Sequence, residues 1–146
     1  MAVACALLAA WLVAAPRTPD MAAQAYRVAL FGQLGFAVFD AHWYAGHELL
    51  GYSLLFPALG SLLGLRTLGC LAVLASVALF ERLAAGAYGA AARWGTACFA
   101  LAAVGDVWSG RLTFALGVSL GMAAALAWAR SRFALAAVLA ALCAAS

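Results

Sequence analysis

Lysine is absent from this chain of 146 residues, and all eight of its basic residues are arginine. Acids number five, histidines two and prolines three. Charged residues make up 9% of the sequence, where a soluble domain carries roughly 25%. So little polar side chain cannot cover a water-soluble globule, which excludes a soluble enzyme and a disordered chain. The net charge of +3 is small and scattered, which excludes the clustered basic face of a nucleic-acid binder. Cys5, Cys70, Cys98 and Cys143 stand alone in apolar runs, with no pair at metal-ligand or redox spacing. That excludes a disulfide-stapled module and predicts buried small hydrophobes.

What the chain has in quantity is apolar side chain, at 69% of residues. The class this leaves is an all-α integral membrane protein. Apolar runs cover Met1–Ala15, Leu49–Leu65, Thr67–Phe80, Trp94–Val107, Leu112–Ala129 and Phe133–Ser146. A spanning helix needs about 20 residues, so the shorter runs borrow flanking ones such as Glu81 and Arg82. The pattern predicts a polytopic transmembrane helix bundle with five or six membrane segments, in contact with the lipid bilayer. Trp11, Trp94, Trp108 and Trp128 fall near run ends, where an aromatic belt would place them. Gly60-x-x-x-Gly64 and Gly117-x-x-x-Gly121 have the small-residue spacing that lets helices approach closely. The first run has no basic flank and is followed by Pro16, so it reads as a retained helix rather than a signal peptide. The last run stops at Ser146 without a cap, and the chain reads as the N-terminal piece of a longer protein whose C-terminal part is missing.

One stretch differs from the rest. Residues 16–48 hold three of the five acids, Asp20, Asp40 and Glu48, and both histidines, His42 and His47. Thr18-Pro19-Asp20 is a helix start: Thr at the N-cap, Pro in the first helical position and Asp in the first turn. The helix is predicted over about 19–34. Asp20, Gln24 and Arg27 form one stripe and Met21, Ala25, Val28 and Phe31 an apolar side, as in an amphipathic helix lying in the membrane interface. Asp40-x-His42 and His47-Glu48 offer oxygen and nitrogen ligands for a divalent metal ion. Their spacing matches no strong metal signature, and structural hydrogen bonding is the plainer reading. Trp43, Tyr44 and Tyr52 are candidates for sugar contact or for interface anchors.

A hydrophobic helix is thus followed by Asp20 in a loop, an amphipathic helix ending near Gly35-Phe36, Trp43-Tyr44-x-Gly46, and Tyr52-Ser53-x-x-Phe56-Pro57. Over about residues 1–85 this order resembles the first third of bacterial polytopic proteins of the C-type glycosyltransferase superfold (GT-C). Actinobacterial membrane proteins and the pyruvoyl-tetrahydropterin-synthase-related membrane family share it. Lys-free, Ala-rich usage agrees with a GC-rich bacterial source, and the resemblance implies the plasma membrane. It also implies sugar transfer from a polyprenyl-phosphate donor, with Asp20 as the base and Arg66 near the donor phosphate. Where such proteins often carry two prolines, Phe56-Pro57-Ala58 keeps one. A non-catalytic relative, a transporter or permease fragment, and a structural membrane protein are the competing readings.

Arginine counting bears on orientation. If every run crosses, Arg17, Arg27, Arg82, Arg93, Arg130 and Arg132 share one side, and the positive-inside rule places residues 16–48 in the cytoplasm. If Leu49–Leu65 does not cross, four arginines lie on each side and the Asp20 loop can be external. Pro57 makes an incomplete crossing the favoured alternative, so an external loop is expected. Asp106 and Arg111, flanking Trp108-Ser109-Gly110, are expected to form a solvated or paired connector.

Overall fold

The computed structural model describes residues 1–41, 45–47, 49–51 and 53–146, with backbone alone at 49 and 50. The helices are α1 (Ala2–Ala14), α2 (Pro19–Leu34), α3 (Leu55–Leu63), α4 (Leu65–Tyr88), α5 (Ala92–Ser109), α6 (Leu112–Ala129) and α7 (Phe133–Ala144). A short antiparallel ladder, β1 (Phe39–Asp40) with β2 (Leu49–Leu50), pairs Phe39 with Leu50 and Asp40 with Leu49. The architecture is all-helical apart from that ladder.

Local chemistry explains the boundaries. Thr18 caps α2 by accepting the Met21 amide at 3.2 Å, with Pro19 in the first turn, and Gly35 ends the helix at a φ of 70°. The expected 19–34 helix is therefore present. Gly64, at φ 81°, ends α3 and starts α4, and a 3₁₀ turn at Gly89–Ala91 separates α4 from α5. Glu81 and Arg82 do not interrupt α4, which continues past them to Tyr88.

Among the described residues two stretches, Leu65–Ser109 and Leu112–Ala129, are long and apolar enough to cross a membrane, or three if the bent pair α1 and α2 forms one span. This is fewer than the five or six segments expected, and length is the reason. At 1.5 Å per residue, α1 and α7 reach only about 20 Å and α3 about 14 Å, against a hydrocarbon core of about 30 Å. The 45-residue stretch is itself folded back. The Phe80 and Phe99 rings stack at 4.4 Å, so α4 and α5 form an antiparallel hairpin. Among the described residues of the run Leu49–Leu65, the helical ones are the nine of α3 and Leu65, which opens α4.

The core lies where α1, α4, α5 and α6 meet. Trp11, Phe56, Val73, Val77, Val107 and Leu112 are completely buried there. α4 lies between α5 and α6, α6 packs on α7, and α1 covers α4 and α5. In lipid, such contacts are held by van der Waals fit more than by the hydrophobic effect. The fit is tight at Gly69, where a Cβ would come within 2.8 Å of Leu112 Cδ2. That contact joins the N-terminal ends of α4 and α6, so the two run parallel.

The glycine pairs do separate jobs. At Gly60 a Cβ would stand 2.8 Å from Val28 Cγ2, so Gly60 seats α3 on α2 while Gly64 serves as a cap. The Cys143 thiol donates to the Gly117 carbonyl at 3.1 Å, so Gly117 and Gly121 receive α7. The cysteines are not the buried hydrophobes expected: Cys5 and Cys98 are exposed, Cys70 and Cys143 half-buried. Trp11 also departs from the aromatic belt, being fully buried, whereas Trp94, Trp108 and Trp128 are exposed. The amides of Leu54 and Leu55 both donate to the Ala145 carbonyl, tying the start of α3 to the end of α7.

Candidate functional site

These contacts gather the C-terminal end of α1, the N-terminal ends of α2, α3, α4 and α6, and the ends of α5 and α7 at one end of the bundle. α1 and α2 meet at 80°, so α2 lies across this end. Its first turn rests on the turn between α5 and α6, where Gly110 has φ 92°. A Cβ at Gly110 would collide with Thr18 Oγ1 and stand 2.8 Å from the Met21 nitrogen. Only glycine permits this approach. Gln24 fixes it by donating from Nε2 to the Gly110 carbonyl at 2.5 Å.

The docking brings Asp20 against Arg111, with Oδ2 and Nε 3.9 Å apart. The Arg111 side chain is 63% exposed and that of Asp20 54%, so the pair is open to solvent. An exposed pair of this kind contributes at most about 1 kcal/mol and separates readily. The carboxylate that Arg111 reaches is thus Asp20, from a helix distant in sequence, while Asp106 accepts the Arg111 amide through its backbone carbonyl. Arg66, half-buried at the start of α4, lies over the Trp11 ring with its guanidinium carbon 5.6 Å from the centroid. Asp20 and Arg66 therefore share one end of the bundle but hold different partners.

The polar stripe of α2 does not face outward as one surface. Gln24 is 3% exposed and turned into the bundle, because its amide is the link to the Gly110 turn. Its Oε1 is buried without a hydrogen-bond partner among the described residues, as is Trp11 Nε1. Arg27 donates to the Ala37 carbonyl at 3.2 Å, and its guanidinium lies against Gly51 in the space a Cβ would take. A narrow crevice between α2, α3 and α6 is lined by Gln24, Arg27, Ser53, Phe56, Pro57 and Thr113.

Asp40 accepts a hydrogen bond from the Tyr26 hydroxyl at 2.7 Å. That bond to the Asp40 carboxylate, followed by partial burial, holds the Tyr26 phenol above its ordinary pKa of 10.0. His47 is exposed beyond the turn that carries Ala45 and Gly46. Among the described residues, no three His, Cys, Asp or Glu side chains come together as a metal site would require. His42, Trp43, Tyr44, Glu48 and Tyr52 lie outside the described residues.

Sequence reasoning identified Asp20 and missed its partner. Arg111 was expected to form a local connector with Asp106, and it does so through its amide and its charge; nothing near it in the chain points to the further pairing with α2. The available signal was Gly110 itself, a glycine ending one helix immediately before an arginine that starts the next. No family model, curated protein or solved structure matches the chain.

Proposed function

We propose that the chain is an integral membrane protein whose polar end acts on a lipid-linked sugar phosphate, in the manner of a membrane glycosyltransferase. The observation that carries the reading is the solvent-open pair of Asp20 and Arg111, with Arg66 at the same end of the bundle. The chemistry needs those two charges. An acceptor hydroxyl attacks the anomeric carbon, its proton passes to the Asp20 carboxylate, and the bond from that carbon to the phosphate oxygen breaks. Arg111 and Arg66 offset the charge left on the departing lipid phosphate. The proposal uses no metal.

The hydroxyls buried among the long helices favour this end over a path through the membrane. Ser76, Thr96 and Ser119 each donate to a carbonyl one turn back in their own helix, at 2.8, 2.9 and 2.7 Å. Such bonds satisfy the hydroxyl locally, so these three side chains offer a substrate no free donor. On the proposed topology α4, α5 and α6 cross, the short helices α1 and α7 are embedded beside them where the bilayer thins to meet them, and α2 and α3 stay at one surface. Arg82, Arg93, Arg130 and Arg132 then face the bacterial cytoplasm and Asp20 faces outward. With α3 turned back after nine residues, arginine counting permits this orientation.

The test is reconstitution of the chain in vesicles with a polyprenyl-phosphate sugar, reading donor retention and sugar transfer separately. Wild-type protein is expected to retain the donor, and Arg66→Ala or Arg111→Ala to retain it poorly. Asp20→Asn should keep the donor and lose any transfer. A wild-type chain that binds no lipid-linked sugar, or an Asp20→Cys variant labelled only from the cytoplasmic side, would end the proposal.

A further inference from the structure

We propose that the end of the bundle opposite Asp20 is a docking surface for the headgroups of anionic lipids. α4 and α6 run parallel and side by side, so the turn at Gly89–Ala91 and the turn after α6 lie together at that end. Arg82 near the end of α4, Arg93 at the start of α5, and Arg130 and Arg132 after α6 are all exposed there, against a single acid, Glu81. The contrast with the other end is chemical. There Arg27 donates to a carbonyl and Arg111 faces the Asp20 carboxylate, while Arg17 is exposed and Arg66, like Arg93 at the opposite end, lies over an indole. Among the described residues none of the four opposite arginines forms an ion pair.

Aromatic side chains frame the same patch. Tyr88, Trp94 and Trp128 are 72%, 71% and 66% exposed, and Phe133 packs edge-on against Trp128 at 5.0 Å. Arg93 lies over Trp94 at 5.8 Å. Exposed indoles at the end of a spanning helix sit at headgroup depth. A guanidinium at that depth meets lipid phosphate with paired N–H donors, a geometry that lysine cannot reproduce. A zwitterionic lipid offers the phosphate but cancels its charge. The surface therefore selects phosphatidylglycerol over phosphatidylcholine.

The test binds short-chain phosphatidylglycerol and phosphatidylcholine to the full chain in detergent, with retained lipid counted by native mass spectrometry. Phosphatidylglycerol is expected to bind more tightly, and its affinity to fall about fivefold for each arginine changed to glutamine among the four. Arg130→Lys with Arg132→Lys should keep most of the charge-dependent part, which separates lost attraction from lost folding. Arg17→Gln, at the other end, should leave the affinity unchanged. Equal affinity for the two lipids, or an equal loss in Arg17→Gln, would overturn the proposal. The measurement reads neither sugar nor transfer, so its outcome is independent of the proposed activity.

Discussion

Replacing Gly110 by alanine strikes the joint that holds α2 in place. The residue has φ 92° and ψ 8°, and a side chain in that left-handed region costs about 1–2 kcal/mol. The added Cβ also meets Thr18 Oγ1 and lies 2.8 Å from the Met21 nitrogen. A hydroxyl can rotate away, but a backbone nitrogen moves only with its helix. Shifting α2 breaks the bond from Gln24 Nε2 to the Gly110 carbonyl and strands a buried amide, at about 1–3 kcal/mol. Together these weaken docking of α2 by about 3 kcal/mol, a factor of about a hundred in its equilibrium. Hydrogen exchange in detergent reads this directly: amides of residues 21–30 should exchange about a hundredfold faster in Gly110→Ala, with those of α4 unchanged. Gly105→Ala is the control, because its Cβ meets nothing within 4 Å and the position is helical. If α2 exchanges alike in Gly110→Ala and wild type, α2 is not seated on this turn. The pairing of Asp20 with Arg111 then loses its basis.

Two other contacts yield separate expectations. The Tyr26 hydroxyl donates to Asp40 while protonated, and its pKa is raised, so the bond is intact below pH 10 and is lost as pH rises through the elevated value. Phenolate absorbance should show one tyrosine ionising earlier in Asp40→Asn than in wild type; identical titrations would remove the contact. Gly60→Ala places a methyl 2.8 Å from Val28 Cγ2 and should cost about 1–3 kcal/mol in thermal unfolding. Val28→Ala in the same chain should return much of that loss, and purely additive losses would show that the two residues do not touch.

The legible parts of this molecule are those decided by neighbours in sequence. Thr18, Pro19 and Gly35 delimit α2 because capping is a local act, and the helix occupies the span they predict. Asp20 stood out because polar residues are scarce everywhere else. Arg111 did not, since the glycine that brings α2 to it works through a contact between residues as distant in sequence as Thr18 and Gly110. Gln24 was misplaced for a related reason. Its stripe on α2 implied an outward polar surface, but a helix lying across the end of a bundle has polar neighbours beneath it as well. The run Leu49–Leu65 shows the opposite limit: its composition is that of a span, and Pro57 and Gly64 were the better guides to its length. Trp11 near a run end satisfied the rule for belts, yet the fold buries it beneath Arg66.

The two hydrogen bonds from Leu54 and Leu55 to the Ala145 carbonyl set an order of events during synthesis. The amides that open α3 are made roughly 90 residues before their acceptor. At about 5–20 residues per second, that acceptor follows after something like 5–20 s. An unpaired amide cannot wait inside hydrocarbon, where each costs several kcal/mol. On the proposed topology, α2 and α3 stay at the membrane surface during that interval, where water serves the open amides, while the later helices insert. The opening of α3 is thus made early in the chain and is among the last contacts to be closed.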